Sequence, residues 1–544
     1  MNTVGYSSGS PKLAFTSVKV QSGDVFKIVQ AKTLETVFEG SIDVNKVKST
    51  IFGDIIHELN FTSFDKPGVY RLWIPSLGVR SSQFEIANQV YNEAVKTAIE
   101  SYYYQRCGTE VNIGTSWTHK VCHIDDAVYY GNGKDKLDVS GGWHDAGDYG
   151  KFSVNTAVSL AYLLYLYDHQ PDKFYDGQLR IPENSNNVPD LLDEARWAMQ
   201  WLMKMQNEKG GVFHKVQKKK WTGEYLPHND PDTRYIFEVS STATADFAAV
   251  SAIGSRLFKE INPHFSDSLR KAAVRAWDYL SRHPEIVPDG GFTNPSDVRG
   301  GEYGDTNDAD ERLWASVELY RLTGETKYHE YFLKNYQSVD EPKMPPVSWK
   351  SIGEFAIYSY LRLPEKDQNL EARKIIIEKI RAYADKLVKQ IAGSDYRIAL
   401  KENEFYWGSN SVVLGYAFDL IQAYEFTEME LYKEAALDQL HYILGRNPFG
   451  LSFVTGIGST SVKNPYHQFS SELNVSKPVP GMLVGGPNNH NNLNDQVLSA
   501  YPGKAYEDNS KNYVVNETAI NYTAPFVYVA GYFSNLAKTE VASE

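Results

Sequence analysis

Short alternating runs of apolar residues mark the first part of the chain. These runs lie at residues 13–15, 25–29, 55–59 and 69–74. Turn formers such as Pro67 and Gly68 separate them. A period of two is typical of strands with one buried face, and several short strands at this spacing suggest a sandwich. We therefore predict a small antiparallel β-sandwich over residues 1–87.

From residue 88 onward the apolar positions recur every three to four residues, as on one face of a helix. Within 190–206, for example, Leu191, Ala195 and Met199 share a face. We count roughly twelve such segments by their periodicity. The segments with the plainest pattern are 92–105, 156–168, 190–206, 243–258, 309–322, 371–391, 412–426, 428–444 and 519–538. Because we expect no strands between them, we predict paired helices that close into a ring over residues 88–544.

Composition and charge restrict the class of protein. The chain has 544 residues, a formal net charge of −13 and 13% aromatic residues. The negative balance argues against a nucleic-acid partner, and no apolar run is long enough to span a membrane. An excess of aromatic side chains suits large cores, and it equally suits a surface that stacks on flat ligands such as sugar rings. We expect a monomer. We expect it to be secreted or periplasmic if a leader has been removed from the sequence, and cytoplasmic otherwise.

A glycine-rich segment at 140–152, SGGWHDAGDYGKF, places two carboxylates three residues apart. Asp145 and Asp148 could orient a water molecule and accept its proton, as general-base chemistry requires. A solvated turn or a cation site is the alternative. Glu517 lies at the start of an apolar helix, where a lone Glu is more often a first-turn charge that the helix dipole favours than a functional group.

Two groups of residues have the chemistry of metal ligands. Thiolates and imidazoles are the ligands that zinc prefers, and four of them make a closed structural site; here they are Cys107, Cys122, His123 and His144. A disulfide or two buried thiols are the alternatives. The acidic loop at 304–311, GDTNDADE, offers hard oxygen ligands that suit calcium, or forms a solvated helix start.

Together these segments resemble glycoside hydrolase family 9. Segment 140–152 is similar to that family's aspartate motif, and 515–525 is similar to its glutamate motif. Further similar segments, in family order, are 234–235, 239–247, 406–410 and 483–488. The first residues are similar to the immunoglobulin-like module that precedes one subgroup's catalytic domain. The resemblance implies an immunoglobulin-like module at 1–87, an (α/α)6 barrel at 88–544, and inverting hydrolysis of β-1,4-linked glucans.

The resemblance also implies roles for individual residues. Asp148 would be the general base, Asp145 would help hold the water, and Glu517 would be the general acid. An inverting enzyme needs its acid and base roughly 6.5–9.5 Å apart, which loops distant in sequence can supply. The implied substrate-binding residues are Trp143, Trp407, His467, Tyr466 and Arg234. The implied cofactors are structural Zn²⁺ on Cys107, Cys122, His123 and His144, and Ca²⁺ on Asp310 and Glu311, with Asp305 and Asp308 as further candidates.

One departure from the family pattern concerns the substrate. The family usually carries Pro-His-His-Arg where this chain has PYHQ at 465–468, so Gln468 replaces a sugar-binding Arg. Gln cannot reproduce the charged, bidentate donation of Arg. We predict an endoglucanase acting on cellulose or related β-glucans. The alternatives are an exo-acting glucosidase, cellodextrinase or glucosaminidase on short oligosaccharides, and a carbohydrate-binding protein without catalysis.

Overall fold

A computed structural model describes the chain except for residues 45–46, 134, 339–345, 474, 492, 494–495 and 538–544. The chain forms two compact units. The first unit comprises Met1–Ser101, Ala384–Tyr466 and Ser476–Glu544, and the second comprises Tyr102–Tyr383 and His467–Val475. Within the described residues, no helix combines the length and the apolar character needed to cross a membrane.

An eight-stranded sheet lies at the start of the first unit. Its strands are β1 Gly5–Tyr6, β2 Leu13–Thr16, β3 Val25–Gln30, β4 Thr36–Asp43, β5 His57–Asn60, β6 Gly68–Ile74, β7 Val79–Arg80 and β8 Phe84–Ile86. Their order is β1-β8-β6-β3-β4-β5-β2, with β7 on β6. All pairs are antiparallel except β1 with β8. The four predicted strand runs overlap β2, β3, β5 and β6, whereas the pattern missed the half-exposed β4.

Alternation along the strands builds the core of this sheet. In β6, Tyr70, Leu72 and Ile74 are buried while the residues between them are half-exposed. Tyr6 of β1 lies at its centre, with ring centroids 5.2 Å from Phe61 and 5.8 Å from Phe84 in edge-to-face geometry. The apolar residues predicted to alternate along these strands therefore lie on one buried face of the sheet, as expected.

Helices dominate the rest of the chain. They are α1 Asn92–Tyr104, α2 Ser153–His169, α3 Asp190–Lys204, α4 Ser241–Phe258, α5 Pro263–Arg282, α6 Ala309–Thr323, α7 Thr326–Asn335, α8 Gly353–Leu361, α9 Leu370–Ala392, α10 Ser409–Thr427, α11 Glu430–Ile443, α12 Gln468–Glu472, α13 Tyr513–Asn516 and α14 Ile520–Phe533. Among the described residues, twelve of these exceed eight residues, as the periodicity indicates. The predicted helix 519–538 ends at Phe533, and its last residue lies outside the described residues.

Within the second unit, buried helices pack against amphipathic ones. Helix α4 is buried along nearly its whole length, and it packs against α2, α5 and α6. Its start is capped by Ser240, whose hydroxyl accepts a hydrogen bond from the Ala243 amide at 3.2 Å. Helix α5 begins after Asn262, whose side chain accepts from the Phe265 amide in the same way at 3.1 Å.

Short strands in the helical region correct one expectation. We predicted none there, but the described part of this region contains six: β9 Val128–Tyr129, β10 Lys151–Phe152, β11 Val212–Phe213, β12 Lys215–Gln217, β13 Tyr235–Ile236 and β14 Val239–Ser240. Runs of two or three residues are too short to show a period. The ladder β10-β12-β13-β9 joins the end of segment 140–152 to the two strands that flank the loop at 218–234, and thereby positions the candidate site.

Candidate active site

The segment at 140–152 forms a closed turn in the second unit, which we call the catalytic turn. The Asp145 backbone amide donates to the Gly150 carbonyl at 2.8 Å. This hydrogen bond closes a short loop that contains both Asp145 and Asp148. The carboxylate of Asp145 is buried. It accepts hydrogen bonds from the side-chain amide of Asn155 at 3.0 and 3.2 Å and from the Tyr303 hydroxyl at 3.1 Å. These donors fix its orientation.

Burial raises the pKa of Asp145 to about 7, and the nearby charge of Asp148 adds to this effect, while Asn155 and Tyr303 oppose it. Asp148 is less enclosed and accepts from the Gly150 amide at 2.5 Å. Burial also raises the pKa of Asp148, and the Gly150 amide and the cations Arg234 and Lys218 oppose that rise. The two carboxylates therefore have different environments, as distinct roles require.

Four potential metal ligands converge beside the catalytic turn. The ligand atoms of Cys107, Cys122, His123 and His144 all lie within 4.8 Å of one another, and the two cysteines are not joined by a disulfide. His144 Nε2 is 3.4 Å from His123 Nδ1 and 3.9 Å from Cys122 Sγ, and Cys107 Sγ is 3.7 Å from His123 Nδ1. These residues can hold a metal ion together.

The spacing of these atoms fits zinc. Zn–S bonds of about 2.3 Å and Zn–N bonds of about 2.0–2.1 Å in a tetrahedron place neighbouring ligand atoms roughly 3.3–3.8 Å apart. The cluster is tied to the turn by the backbone, since the Cys107 amide donates to Gly142 at 2.8 Å and the His144 amide donates to Gln105 at 2.7 Å. A metal here would brace the turn that carries both aspartates.

Two predicted substrate-binding residues are corrected by their burial. Trp143 is 0% exposed, and its indole N–H donates to Glu194 at 2.7 Å. His467 is 1% exposed, and its ring nitrogens lie 3.0 Å from Gln105 Oε1 and 2.8 Å from Ser470 Oγ. In this position they support the turn from within and do not present a surface to sugar.

Arg234 and Gln468 also take part in internal contacts. The Arg234 guanidinium pairs with Asp126 at 2.9 Å, although its side chain also lines a small cavity beside Asp148. Gln468 is buried, and its backbone amide donates to the Gly147 carbonyl at 2.8 Å. The residue that replaces the family's Arg is thus a backbone support for the catalytic turn.

Glu517 lies in the first unit, between α13 and α14. Its backbone is held on both sides, because its amide donates to the Tyr513 carbonyl at 3.2 Å and its carbonyl accepts from the Gly485 amide at 2.9 Å. Val515 and Ile520, two apolar residues close to Glu517 in sequence, are buried. The Glu517 side chain is half-buried.

An aromatic strip accompanies Glu517 in the first unit. The ring of Tyr513 lies 5.7 Å from Trp407 and 5.8 Å from Tyr466, and Trp407 and Tyr513 are 37% and 39% exposed. Trp407 and Tyr466 were predicted to bind substrate, and both lie on this strip. Tyr513 was missed, although its place four residues before Glu517 puts it one helical turn away.

The acidic loop contributes to a buried cluster of carboxylates, and the cluster differs from the predicted set. Asp308 is corrected, because it forms a two-point ion pair with Arg312 at 2.9 Å. Asp246 of α4 was missed: it is fully buried, and burial together with Asp310 and Asp305 raises its pKa well above the usual range. Burial and Asp310 raise the pKa of Glu311 in the same way.

The oxygen atoms of two of these carboxylates lack donors. In the part of the chain that the structure describes, neither oxygen of Asp246 and neither oxygen of Glu311 accepts a hydrogen bond. Asp310, by contrast, accepts from the Ile352 amide at 2.9 Å. Buried carboxylates without donors are costly, so this arrangement fits a bound cation.

Comparison with known proteins agrees with this geometry. Residues 91–530 match the family model of glycosyl hydrolase family 9, and residues 1–79 match that of the cellulase N-terminal immunoglobulin-like domain. The chain is 32% identical to Endoglucanase D of Acetivibrio thermocellus, over 99% of this chain and 81% of the relative.

Solved structures share the fold along almost the whole chain. A metagenome-derived glycoside hydrolase family 9 endoglucanase superposes with a TM-score of 0.91 at 34% identity, covering 98% of each chain. A zinc-binding triple mutant of the family 9 endoglucanase J30 gives 0.90 at 32% identity, covering 98% of this chain and 99% of that one. These matches confirm the predicted fold class, an immunoglobulin-like β module followed by a helical (α/α)6 barrel, to which this chain adds the short strands β9–β14.

Proposed function

The chain belongs to glycosyl hydrolase family 9, and from this premise we propose that it is an inverting endo-β-1,4-glucanase. The catalytic turn is the observation that carries the proposal, because it holds two aspartates three residues apart in different environments. The buried Asp145 carboxylate accepts hydrogen bonds from the side chains of Asn155 and Tyr303, whereas Asp148 is only partly buried. A binding protein needs no such pair.

The proposed reaction divides acid and base chemistry between two motifs. Glu517 donates its proton to the glycosidic oxygen, and the leaving sugar departs as an alcohol. Asp148 takes a proton from a water molecule, whose oxygen bonds to the anomeric carbon from the opposite side. Asp145 helps to hold that water. A β-linked substrate therefore yields an α-configured product, with one water consumed per bond.

Endo action predicts a characteristic time course. The viscosity of a soluble β-glucan should fall faster than reducing ends appear, because internal cuts shorten the chains at once. Parallel viscometry and reducing-end assays on the purified protein measure this, with Glu517→Gln as the inactive control. Release of only monosaccharide in the first minutes would identify an exo-acting enzyme instead.

We also propose a structural zinc ion on Cys107, Cys122, His123 and His144. Four protein ligands complete a tetrahedron, so such an ion braces the fold and supplies no site for a substrate water. Its attachment to the backbone of the catalytic turn supports this structural role. Asp230 lies 3.7 Å from the second ring nitrogen of His123, where outer carboxylates often orient metal-bound imidazoles.

Calcium is our proposal for the buried carboxylate cluster, with Asp246 joining Asp305, Asp310 and Glu311. We expect the melting temperature to rise when calcium is added to chelator-treated protein, because the ion offsets carboxylate repulsion. The double variant Asp246→Asn/Glu311→Gln should lose that dependence, while Asp267→Asn, which changes an exposed carboxylate on α5, should keep it. Calorimetry with and without calcium measures this, and a calcium-independent melting temperature in the parent chain would contradict the proposal.

The domain boundary is likewise proposed, after residue 87. Strand β8 ends at Ile86 and helix α1 begins at Asn92, so the change in structure falls between them. The two family matches end and begin on either side of this point, at residues 79 and 91. We place the immunoglobulin-like module at 1–87 and the catalytic domain at 88–544.

A further inference from the structure

Helix α3 lies with one face against the segment that leads into the catalytic turn. Four residues recur on that face at helical spacing, and each makes a polar contact with residues 138–143. These four are Glu194, Trp197, Trp201 and Lys204. No role described above uses this face of α3, although it contacts the start of the turn that carries both aspartates.

Three of the four side chains donate hydrogen bonds to backbone carbonyls of this segment. At the end of the helix, the Lys204 ammonium donates to the Ser140 carbonyl at 3.1 Å. The Trp197 indole N–H donates to the Gly142 carbonyl at 3.0 Å. The same Gly142 carbonyl also accepts from the Cys107 backbone amide at 2.8 Å. A side chain of α3 and a proposed zinc ligand therefore share one acceptor.

Glu194 is the acceptor among the four, and it is fully buried. Its carboxylate accepts from the Trp143 indole N–H at 2.7 Å and from the Arg106 guanidinium at 2.7 and 3.1 Å. Arg106 is itself buried, and it lies 5.0 Å from the ring centroid of Tyr103 and 4.7 Å from that of Trp197. Because charge-assisted hydrogen bonds are strong in a buried site, this carboxylate fixes the positions of both its donors.

The two donors to Glu194 each precede a proposed zinc ligand. Arg106 is followed by Cys107, and Trp143 is followed by His144. Arg106 and Trp143 also form an antiparallel β-bridge with each other. Glu194 is therefore bonded to both sides of the backbone pairing that brings Cys107 and His144 together.

We propose that Glu194 is a positioning residue for the zinc site, which sets the separation of Cys107 and His144 through Arg106 and Trp143. This inference rests on the zinc ion of the proposed function and deepens it, because it names the buried group that holds two of the ligands. Replacing outer groups that orient metal ligands typically changes metal affinity about 10–100-fold. Loss of the Glu194 charge should therefore weaken zinc binding more than a general loss of stability does.

The rate of zinc release tests this role. Zinc-loaded protein is mixed with an excess of a chromogenic chelator, and release is followed by absorbance without substrate. Glu194→Gln keeps the shape of the side chain but loses the charge that pairs with Arg106, and it should release zinc about 10-fold faster than the parent. Trp197→Phe changes a half-buried side chain and removes the donor to Gly142, and it should speed release about threefold or more.

A buried carboxylate elsewhere in the second unit provides the matched control. Glu318 is fully buried, pairs with Arg256 at 3.0 Å and accepts from the Tyr165 hydroxyl at 2.8 Å. Glu318→Gln should lower the melting temperature, as Glu194→Gln does, but should release zinc within about twofold of the parent rate. With cobalt(II) in place of zinc, the visible absorption bands report ligand geometry, and they should shift in Glu194→Gln and not in Glu318→Gln.

The outcomes separate this inference from the proposed function. Zinc release at the parent rate in folded Glu194→Gln, or in Trp197→Phe if Glu194→Gln does not fold, would overturn the positioning role alone. Equal acceleration by Glu318→Gln would also overturn it, because the effect would then follow general stability. Zinc missing from the parent would refute the zinc site and this inference with it. A parent that cleaves no β-1,4-glucan would refute the proposed activity, and the release rates would still decide the role of Glu194.

Discussion

Replacing Glu517 by Gln is expected to lower kcat on cellohexaose at least about 10²-fold, because the carboxamide keeps the shape but has no acidic proton to donate. Asp148→Asn should cost as much, since the amide cannot accept the proton of the attacking water. Initial rates measured with purified protein, alongside circular dichroism and melting temperature, separate lost chemistry from lost folding. Near-normal turnover in either folded variant would refute the assignment.

The two roles can also be told apart. A substrate with a good leaving group, such as a nitrophenyl cello-oligosaccharide, needs little protonation and should recover much of its rate in Glu517→Gln. Asp148→Asn should gain no such recovery, because its water still lacks a base. Asp267→Asn, an exposed carboxylate on α5, is the matched control and should retain full activity on both substrates.

Removal of the proposed zinc ion is expected to have the second-largest effect. Cys107→Ser should abolish bound zinc and lower the apparent melting temperature by more than about 5 °C, because a ligand that binds only the folded state stabilises it. Activity should fall with it, since the Cys107 and His144 backbones hold the catalytic turn. Metal analysis should find one zinc ion per chain in the parent and none in the variant.

A nearby histidine outside the cluster provides the control for zinc. His228→Gln changes an imidazole in the loop at 218–234 that is not among the four ligands, and it should retain one zinc ion. The absence of zinc from parent protein purified without chelator would contradict the site. So would a disulfide between Cys107 and Cys122 detected in native protein.

Sequence motifs predicted which residues lie together, because motif residues are neighbours along the chain. Asp145 and Asp148 share one turn, and the four zinc-type ligands, drawn from residues 107–144, converge in space. Helices with a strong period were likewise predictable, as α3 shows: it was expected at 190–206 and spans Asp190–Lys204. These features depend on local spacing, which the sequence displays directly.

Contacts between distant segments were not predictable in the same way. Asp246 joins the carboxylate cluster from the middle of a buried helix, some sixty residues from Asp305 and Asp310, and no spacing rule connects them. Trp143 and His467 have the residue types of sugar ligands, but only packing reveals that both are buried. Residue type predicts chemistry, whereas exposure is decided by the fold.

The central claim is inverting hydrolysis by Asp148 and Glu517, and proton NMR of the first product tests it most directly. Anomeric signals recorded within the first minutes on cellohexaose, before mutarotation, report which face of the sugar was attacked. An inverting mechanism predicts the α-anomer first, with the β-anomer growing later by mutarotation. Appearance of the β-anomer first would show retention of configuration and contradict the mechanism.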